Sequence, residues 1–287
     1  MTESEINSLS MVSIIVPTYN AEKNIVHLIE SFLKLNYPKE LFEIIMVDNG
    51  SDDRTKEIIR KYPIVTLLEE KSMQSSYAAR NKGIQHAKNE ILAFTDSDCI
   101  SDAQWIKNAL LCLNHEKADL LAGNVIFKKT SNLNIFEIYD SHMYLQQEYN
   151  VSVGASTTAN LLVKKNIFNS LGLFSNVQSG GDVEWTKKAV DKGFKLIYCE
   201  NAKIFHPARK SFKETIKKEL RLCENWSIPS NLIHSHYKEI QGKVFLNKKN
   251  LKVTGLFGMI FLLKNIFKLI SVFILSINSF KKIRRLR

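Results

Sequence analysis

Proline and cysteine are scarce in this 287-residue chain, with five and four copies, and glycine occurs only eleven times. So little proline and glycine excludes collagen-like and low-complexity organisation. The four cysteines, Cys99, Cys112, Cys199 and Cys223, stand apart, with no close pair of the kind that ligates zinc. They are expected to be reduced, as in a cytoplasmic protein, and not to form a disulfide framework. Met1–Ser10 is polar with two glutamates, and Val12–Pro17 is too short for a signal-peptide core, so no secretory leader is expected. Acid is missing from one end. From Lys243 to Arg287 there are eleven Lys or Arg and no Asp or Glu, which accounts for the whole net charge of +11. The remaining 29 basic groups balance all 29 acids, so residues 1–242 are formally neutral. A nucleic-acid partner would want basic groups along the functional face, so this distribution argues against one.

What the chain does have is a recurring strand, turn and helix. Val12–Val16 is apolar and is followed by Pro17-Thr18-Tyr19-Asn20; Pro17 cannot donate to a ladder, so the strand is expected to end there. Glu43–Val47 is a second apolar run and ends in Asp48, ahead of Asn49-Gly50-Ser51-Asp52-Asp53. The pattern recurs through Ile64–Leu68, Ser75–Ala87 and Ile91–Thr95. Alternation of this kind predicts an α/β fold with a mostly parallel central sheet flanked by helices. After Ile91–Thr95 come Asp96-Ser97-Asp98, two carboxylates one residue apart at the carboxyl edge of a sheet, where ligands of open α/β sheets bind. Such a pair repels itself without a cation, and a hard divalent ion carrying phosphate oxygens is the natural partner.

Val-Pro-Thr-Tyr-Asn at 16–20, Val-Asp-Asn-Gly-Ser-Asp-Asp at 47–53, Ala-Ala-Arg-Asn-Lys-Gly at 78–83 and Thr-Asp-Ser-Asp at 95–98 resemble, in order and spacing, the inverting family 2 glycosyltransferases of the GT-A fold. The resemblance covers roughly residues 11–226. It implies a Rossmann-like GT-A domain with a nucleotide-sugar-binding half, 11–100, and an acceptor-binding half, 101–226, behind a polar lead, 1–10, and ahead of a helical tail, 227–287. The implied donor is a nucleotide-diphosphate sugar, UDP-linked by preference. Pro17, Thr18, Tyr19, Asp48, Arg80, Asp96 and Ser97 are then expected at the nucleotide. Asp98 is expected to ligate Mn²⁺ or Mg²⁺, and His206, at the end of the strand-like Ala202–Pro207, is a candidate second ligand or a structural hydrogen-bonding group.

Inverting transfer needs a carboxylate to take the proton of the attacking hydroxyl. The candidate lies in Ser179-Gly180-Gly181-Asp182-Val183-Glu184-Trp185, which leads from a glycine loop into an amphipathic helix. The family usually carries Glu-Asp here, whereas this chain has Gly181-Asp182, so the first acid is absent. The resemblance identifies Asp182 as the base; a helix cap is the alternative role, with Glu184 in reserve. Trp185 is either a flat face for the acceptor or a core residue. Thr157–Val163 is expected as a strand lining the acceptor side. Two other functions stay open: a catalytically silent nucleotide-sugar-binding scaffold, which the missing glutamate supports, and a nucleotidyltransferase, whose basic glycine-rich phosphate loop Pro17–Lys23 does not supply.

The tail is expected to meet a membrane. Val253–Leu263 and Leu269–Ile277 are apolar but interrupted by Lys264, Asn265 and Lys268, and neither alone reaches the roughly 20 residues that cross a bilayer. Lys264, Lys268 and Ser271 form a narrow polar stripe on an apolar helix, which suits an interfacial helix or a shallow hairpin. Lys281–Arg287 would then face anionic headgroups on the cytoplasmic side of the cell membrane. The acceptor expected there is a glycan or a lipid-linked sugar.

Overall fold

The computed structural model of the chain describes residues 10–128 and 134–224, with Ile266 and Ile270 as two isolated further positions. Apart from these two, the expected membrane-facing segment and the basic end lie outside the described residues. Among the described residues no helix is long and apolar enough to cross a membrane.

The described chain groups into two compact units. The larger takes the chain up to Lys128, Leu145–Val177 and Gly181–Pro207. It is built on one eight-stranded sheet in the order β3-β2-β1-β4-β7-β6-β8-β5. Its strands are β1 (Val12–Thr18), β2 (Phe42–Asp48), β3 (Val65–Glu69), β4 (Ile91–Phe94), β5 (Ile100–Ser101), β6 (Leu120–Lys128), β7 (Leu161–Lys164) and β8 (Leu196–Pro207). Strands β3, β2, β1 and β4 run parallel, as does β6 with β8; β7 is antiparallel to both neighbours and β5 to β8. The parallel block occupies the region where strands alternate with helices: α1 (Ile25–Leu33), α2 (Thr55–Ile59) and α3 (Ser76–His86).

All seven residues of β1 are buried, as a strand covered on both faces requires. Successive side chains then divide between the two layers. Ile14 and Val16 share a cluster with Ile25, Leu28, Ile29 and Phe32 of α1 and with Trp105 of α4 (Trp105–His115). Ile15 points into the opposite cluster, with Tyr77 and Ile84 of α3 and with Phe168 of α7 (Asn166–Leu171). Gly83 permits α3 to lie this close, because a Cβ there would stand 2.5 Å from Ile15 Cγ2.

Several expectations need correction. Strand β1 continues one residue past Pro17, which pairs with Val47. Pairing with β4 has stopped at Ile15, so the missing N–H of Pro17 costs nothing on that side. Thr157–Val163 is a strand only from Leu161; Thr158–Asn160 is a 3-10 turn in which Thr158 N–H donates to the Asp182 carboxylate and the Asn160 side chain donates to Asn124 O. Cys112 on α4 and Cys199 on β8 are not both reduced but form a disulfide, with Cα atoms 6.4 Å apart across 87 residues. Only the packing of α4 along β8 brings them together.

The pairing of β6 with β8 slips between Gly123 and Asn124: Gly123 faces Cys199, and Asn124 faces Lys203. Buried Asn160 holds that irregularity. Its Nδ2 donates to Asn124 O and Ala202 O, both at 2.9 Å, and its Oδ1 accepts from Trp105 Nε1 at 2.8 Å. Gly123 is required beside it, since a Cβ would press on the Asn160 amide and come within 2.6 Å of Ala202 O.

The smaller unit contains α5 (Ile135–Met143), Tyr144, Gln178–Gly180 and the chain from Ala208, including α9 (Phe212–Glu224). Asn134 opens α5 with a full capping box to Glu137. Buried Asp140 accepts from the Arg209 backbone N–H at 3.0 Å and from Arg209 Nη1 at 2.8 Å, with Lys218 Nζ 3.9 Å away. Tyr139 Oη donates to Glu219 at 2.7 Å, and Tyr144 Oη donates to the same carboxylate.

Candidate active site

The carboxyl ends of β1, β2 and β4 form one edge of the sheet, and the expected nucleotide residues gather there. Thr18 and Asp48 are paired across β1 and β2 and both are about fully buried, at 1% exposure. Asp48 Oδ2 accepts from the backbone N–H groups of Gly50, at 3.2 Å, and Ser51, at 3.0 Å; positive φ at Gly50 makes this tight turn possible. Asp48 is thus a turn-closing residue, but with one oxygen only. Its Oδ1 is buried without a partner, as are Thr18 Oγ1 and Arg80 Nε. Tyr19, next in the chain, is exposed at 51%.

Arg80 is no surface arginine. It sits on α3, buried, with Nη2 donating to Asp96 Oδ1 at 2.5 Å. Asp96, Ser97 and Asp98 form the turn after β4, all half-buried. Asp98 Oδ1 lies 3.6 Å from His206 Nε2 at the end of β8. His206 Nδ1 lies 2.6 Å from Pro207 O, and a carbonyl can only accept, so Nδ1 carries the proton. Nε2 faces the Asp98 carboxylate, and in the neutral ring its lone pair and that carboxylate could share a divalent cation. Ligand atoms of Asp98, Cys99 and His206 lie within 4.8 Å of one another. Burial, then the carboxylates of Asp98 and Asp96, push the Cys99 thiol well above its ordinary range, so it stays a protonated, buried neighbour. One carboxylate and one imidazole suit Mn²⁺ or Mg²⁺ when waters and phosphate oxygens complete the shell.

Asp182 is the second residue of α8 (Gly181–Asp191) and is buried at 7% exposure. Four donors meet its carboxylate. Tyr77 Oη donates to Oδ1 at 2.8 Å and Val183 N to Oδ1 at 3.0 Å. Thr158 N and Thr158 Oγ1 donate to Oδ2 at 2.8 and 2.9 Å. Burial and then the Asp182 carboxylate hold the Tyr77 phenol well above its ordinary range, so it remains a donor. Glu184 is exposed on the same helix. Trp185 offers no face to an acceptor: it is 3% exposed, stacks on Phe168 at 4.3 Å between centroids, and donates Nε1–H to Gly172 O at 2.8 Å. Tyr77 and Thr158 carry no local sequence signal that links them to Asp182, because they lie 105 and 24 residues from it.

A family profile described as glycosyl transferase family 2 matches residues 13–172. Glycosyltransferase AglE of Haloferax volcanii is 38% identical over 222 residues, 75% of this chain and 73% of that protein. The chain belongs to glycosyl transferase family 2. It is accordingly a glycosyltransferase, and the solved structures similar to it share the GT-A fold. Mannosyltransferase PcManGT from Pyrobaculum calidifontis, in complex with GDP-Man and Mn²⁺, superposes with a TM-score of 0.60 at 22% identity, covering 76% of this chain and 63% of that one. Residues 1–349 of Staphylococcus aureus TarS, in complex with UDP-GlcNAc, give 0.57 at 23% identity, covering 70% of this chain and 59% of that one. Identities this low speak for the fold alone.

Proposed function

We propose that this glycosyltransferase moves a sugar from a UDP-sugar, with a divalent metal and inversion at the anomeric carbon, to a hydroxyl of a glycan or lipid-linked acceptor. The observation that carries the reading is the set of unpartnered buried atoms at the nucleotide edge, Asp48 Oδ1, Thr18 Oγ1 and Arg80 Nε. A buried polar group left unpaired costs about 1–3 kcal/mol, so a ligand that pairs it binds there with a gain. Asp48 Oδ1 is an acceptor at the tip of its strand and suits the imide N–H of uracil. The exposed ring of Tyr19 would pack on the base.

Asp98 and His206 would hold the metal, which when bound neutralises charge on the departing diphosphate. Asp96, held by Arg80, would take the ribose hydroxyls. The acceptor oxygen bonds to the anomeric carbon from the face opposite the phosphate. The glycosyl–phosphate bond breaks and its electron pair leaves with UDP, while the acceptor's proton passes to Asp182. Asp182 lies in the first turn of α8, with Thr158 and Tyr77 holding its carboxylate in place. No covalent enzyme intermediate forms. The basic tail would keep the enzyme on the cytoplasmic face of the cell membrane, within reach of lipid-linked acceptors.

Calorimetric titration of UDP with and without Mn²⁺ tests the donor site. Tight binding only with Mn²⁺, weakened at least tenfold in Asp98→Ala, is expected. Binding of GDP in preference to UDP would overturn the choice of base, and metal-independent binding would overturn the metal.

A further inference from the structure

The four donors around Asp182 have a source that the chemistry of transfer does not require. Two are backbone N–H groups, of Thr158 and Val183, set by the 3-10 turn and by the first turn of α8. The other two are hydroxyls, and one of these, Tyr77 Oη, comes from α3. That helix also bonds to the segment ahead of Asp182, at Phe174, Asn176 and Val177. Ser75, its N-cap, donates to Val177 O at 3.0 Å. Asn81 Nδ2 donates to Phe174 O at 2.8 Å and to Asn176 Oδ1 at 3.3 Å, and Asn81 Oδ1 accepts from Phe174 N at 3.0 Å. The same helix bears Arg80, which binds Asp96 on the donor side and lies 5.4 Å from the Tyr77 ring. A single rigid element therefore sets the base relative to the donor carboxylate.

We propose that Tyr77 is a positioning residue for Asp182: its hydroxyl fixes Oδ1, aims the carboxylate, and sets how readily that carboxylate accepts a proton. This rests on Asp182 being the proton acceptor. A carboxylate has about four lone-pair positions, and here all are filled. The acceptor hydroxyl gains access only when a side-chain hydroxyl turns away, since the two amides are fixed. Tyr77, buried and packed against Phe174 at 5.9 Å between centroids, has little freedom to turn, so the Thr158 hydroxyl is the group that yields. Among the described residues, the titratable group in direct contact with Asp182 is Tyr77, with Arg80 5.4 Å from its ring; α8 itself carries exposed Glu184 and, farther along, Lys187, Lys188 and Asp191, and the 3-10 turn contributes the neutral Thr158.

Removing a donor to an ionised carboxylate raises its pKa. In protein labelled with ¹³Cγ-aspartate, with the Asp182 resonance assigned by its loss in Asp182→Asn, Tyr77→Phe should raise the Asp182 midpoint by about one pH unit. The acid limb of kcat/KM for UDP-sugar hydrolysis should move by the same amount, with KM for the donor unchanged. A midpoint that stays put would overturn the proposal, because loss of packing alone does not move it. Should Tyr77→Phe unfold, 3-fluorotyrosine at position 77 retains the ring and donates more strongly, and must move the midpoint the other way. Asp182→Asn separates the underlying reading: if it turns over donor and acceptor normally, Asp182 is not the base, whatever Tyr77 does to its titration.

Discussion

At Asp182 two roles compete on sequence grounds, helix cap and base. A cap accepts from a backbone N–H two or three residues on, whereas Asp182 accepts from its immediate neighbour Val183, from Tyr77 Oη and twice from Thr158. General-base assistance contributes about 10²–10⁴-fold, so Asp182→Asn should lower transfer by that factor while UDP affinity stays the same. Glu184→Gln should be nearly silent; a larger loss there would make exposed Glu184 the base. Asp98, Asp96 and Asp48 were legible because each ends an apolar strand, and a carboxylate in that place has few structural excuses. Trp185 was not legible, since an aromatic at a helix start looks the same from sequence whether it faces a ligand or the core. Only the stacked ring of Phe168 decides.

Among the elements, those with local causes were foreseen and those with distant causes were not. The parallel strands and α3 follow from apolar runs and their spacing, and the structure places them within a residue or two. The 3-10 turn at Thr158–Asn160 looked like strand because it is flanked by Thr157 and by the apolar run Leu161–Val163. Its backbone and side chains instead serve Asp182 and the slip between β6 and β8, partners that lie far along the chain. The α5–α9 pair carries a separate prediction. Burial, then repulsion from Arg209, lowers Lys218 from 10.5 to about 7. Asp140 and Glu219 oppose the shift, Arg221 adds to it, and the Tyr144 ring lies 3.5 Å from Nζ. Between about pH 7 and 10.5 the unfolded chain would hold a proton that the folded chain has released, so stability rises with pH across that window. The gain is at most about 1.4 kcal/mol per unit. Thermal melts should therefore improve from pH 7 to pH 9, and Lys218→Met should flatten the trend; an unchanged trend in that variant would remove Lys218 as its cause.

For the molecule as a whole, charge is divided in a way no fold requires, with a neutral catalytic portion and eleven uncompensated cations after residue 242. If that end holds the enzyme to a bilayer, it should co-sediment with phosphatidylglycerol vesicles at low salt and be released at high salt. Replacing Lys281, Lys282, Arg284 and Arg285 by Gln should weaken binding by about 1 kcal/mol for each charge lost. Equal binding to neutral phosphatidylcholine vesicles would sink the electrostatic account. The amino-acid sequence by itself determined the alternating α/β plan and brought forward Asp48, Asp96, Asp98 and Asp182 as the acids of a proposed site, because each rests on short-range pattern: apolar runs, turn residues and acids at the ends of elements. Tertiary structure alone decided which groups surround the base, that Cys112 meets Cys199, that His206 turns Nε2 toward Asp98, and that Trp185 is core. Those outcomes depend on side chains tens of residues apart meeting across helices and strands, and no local pattern encodes such a meeting.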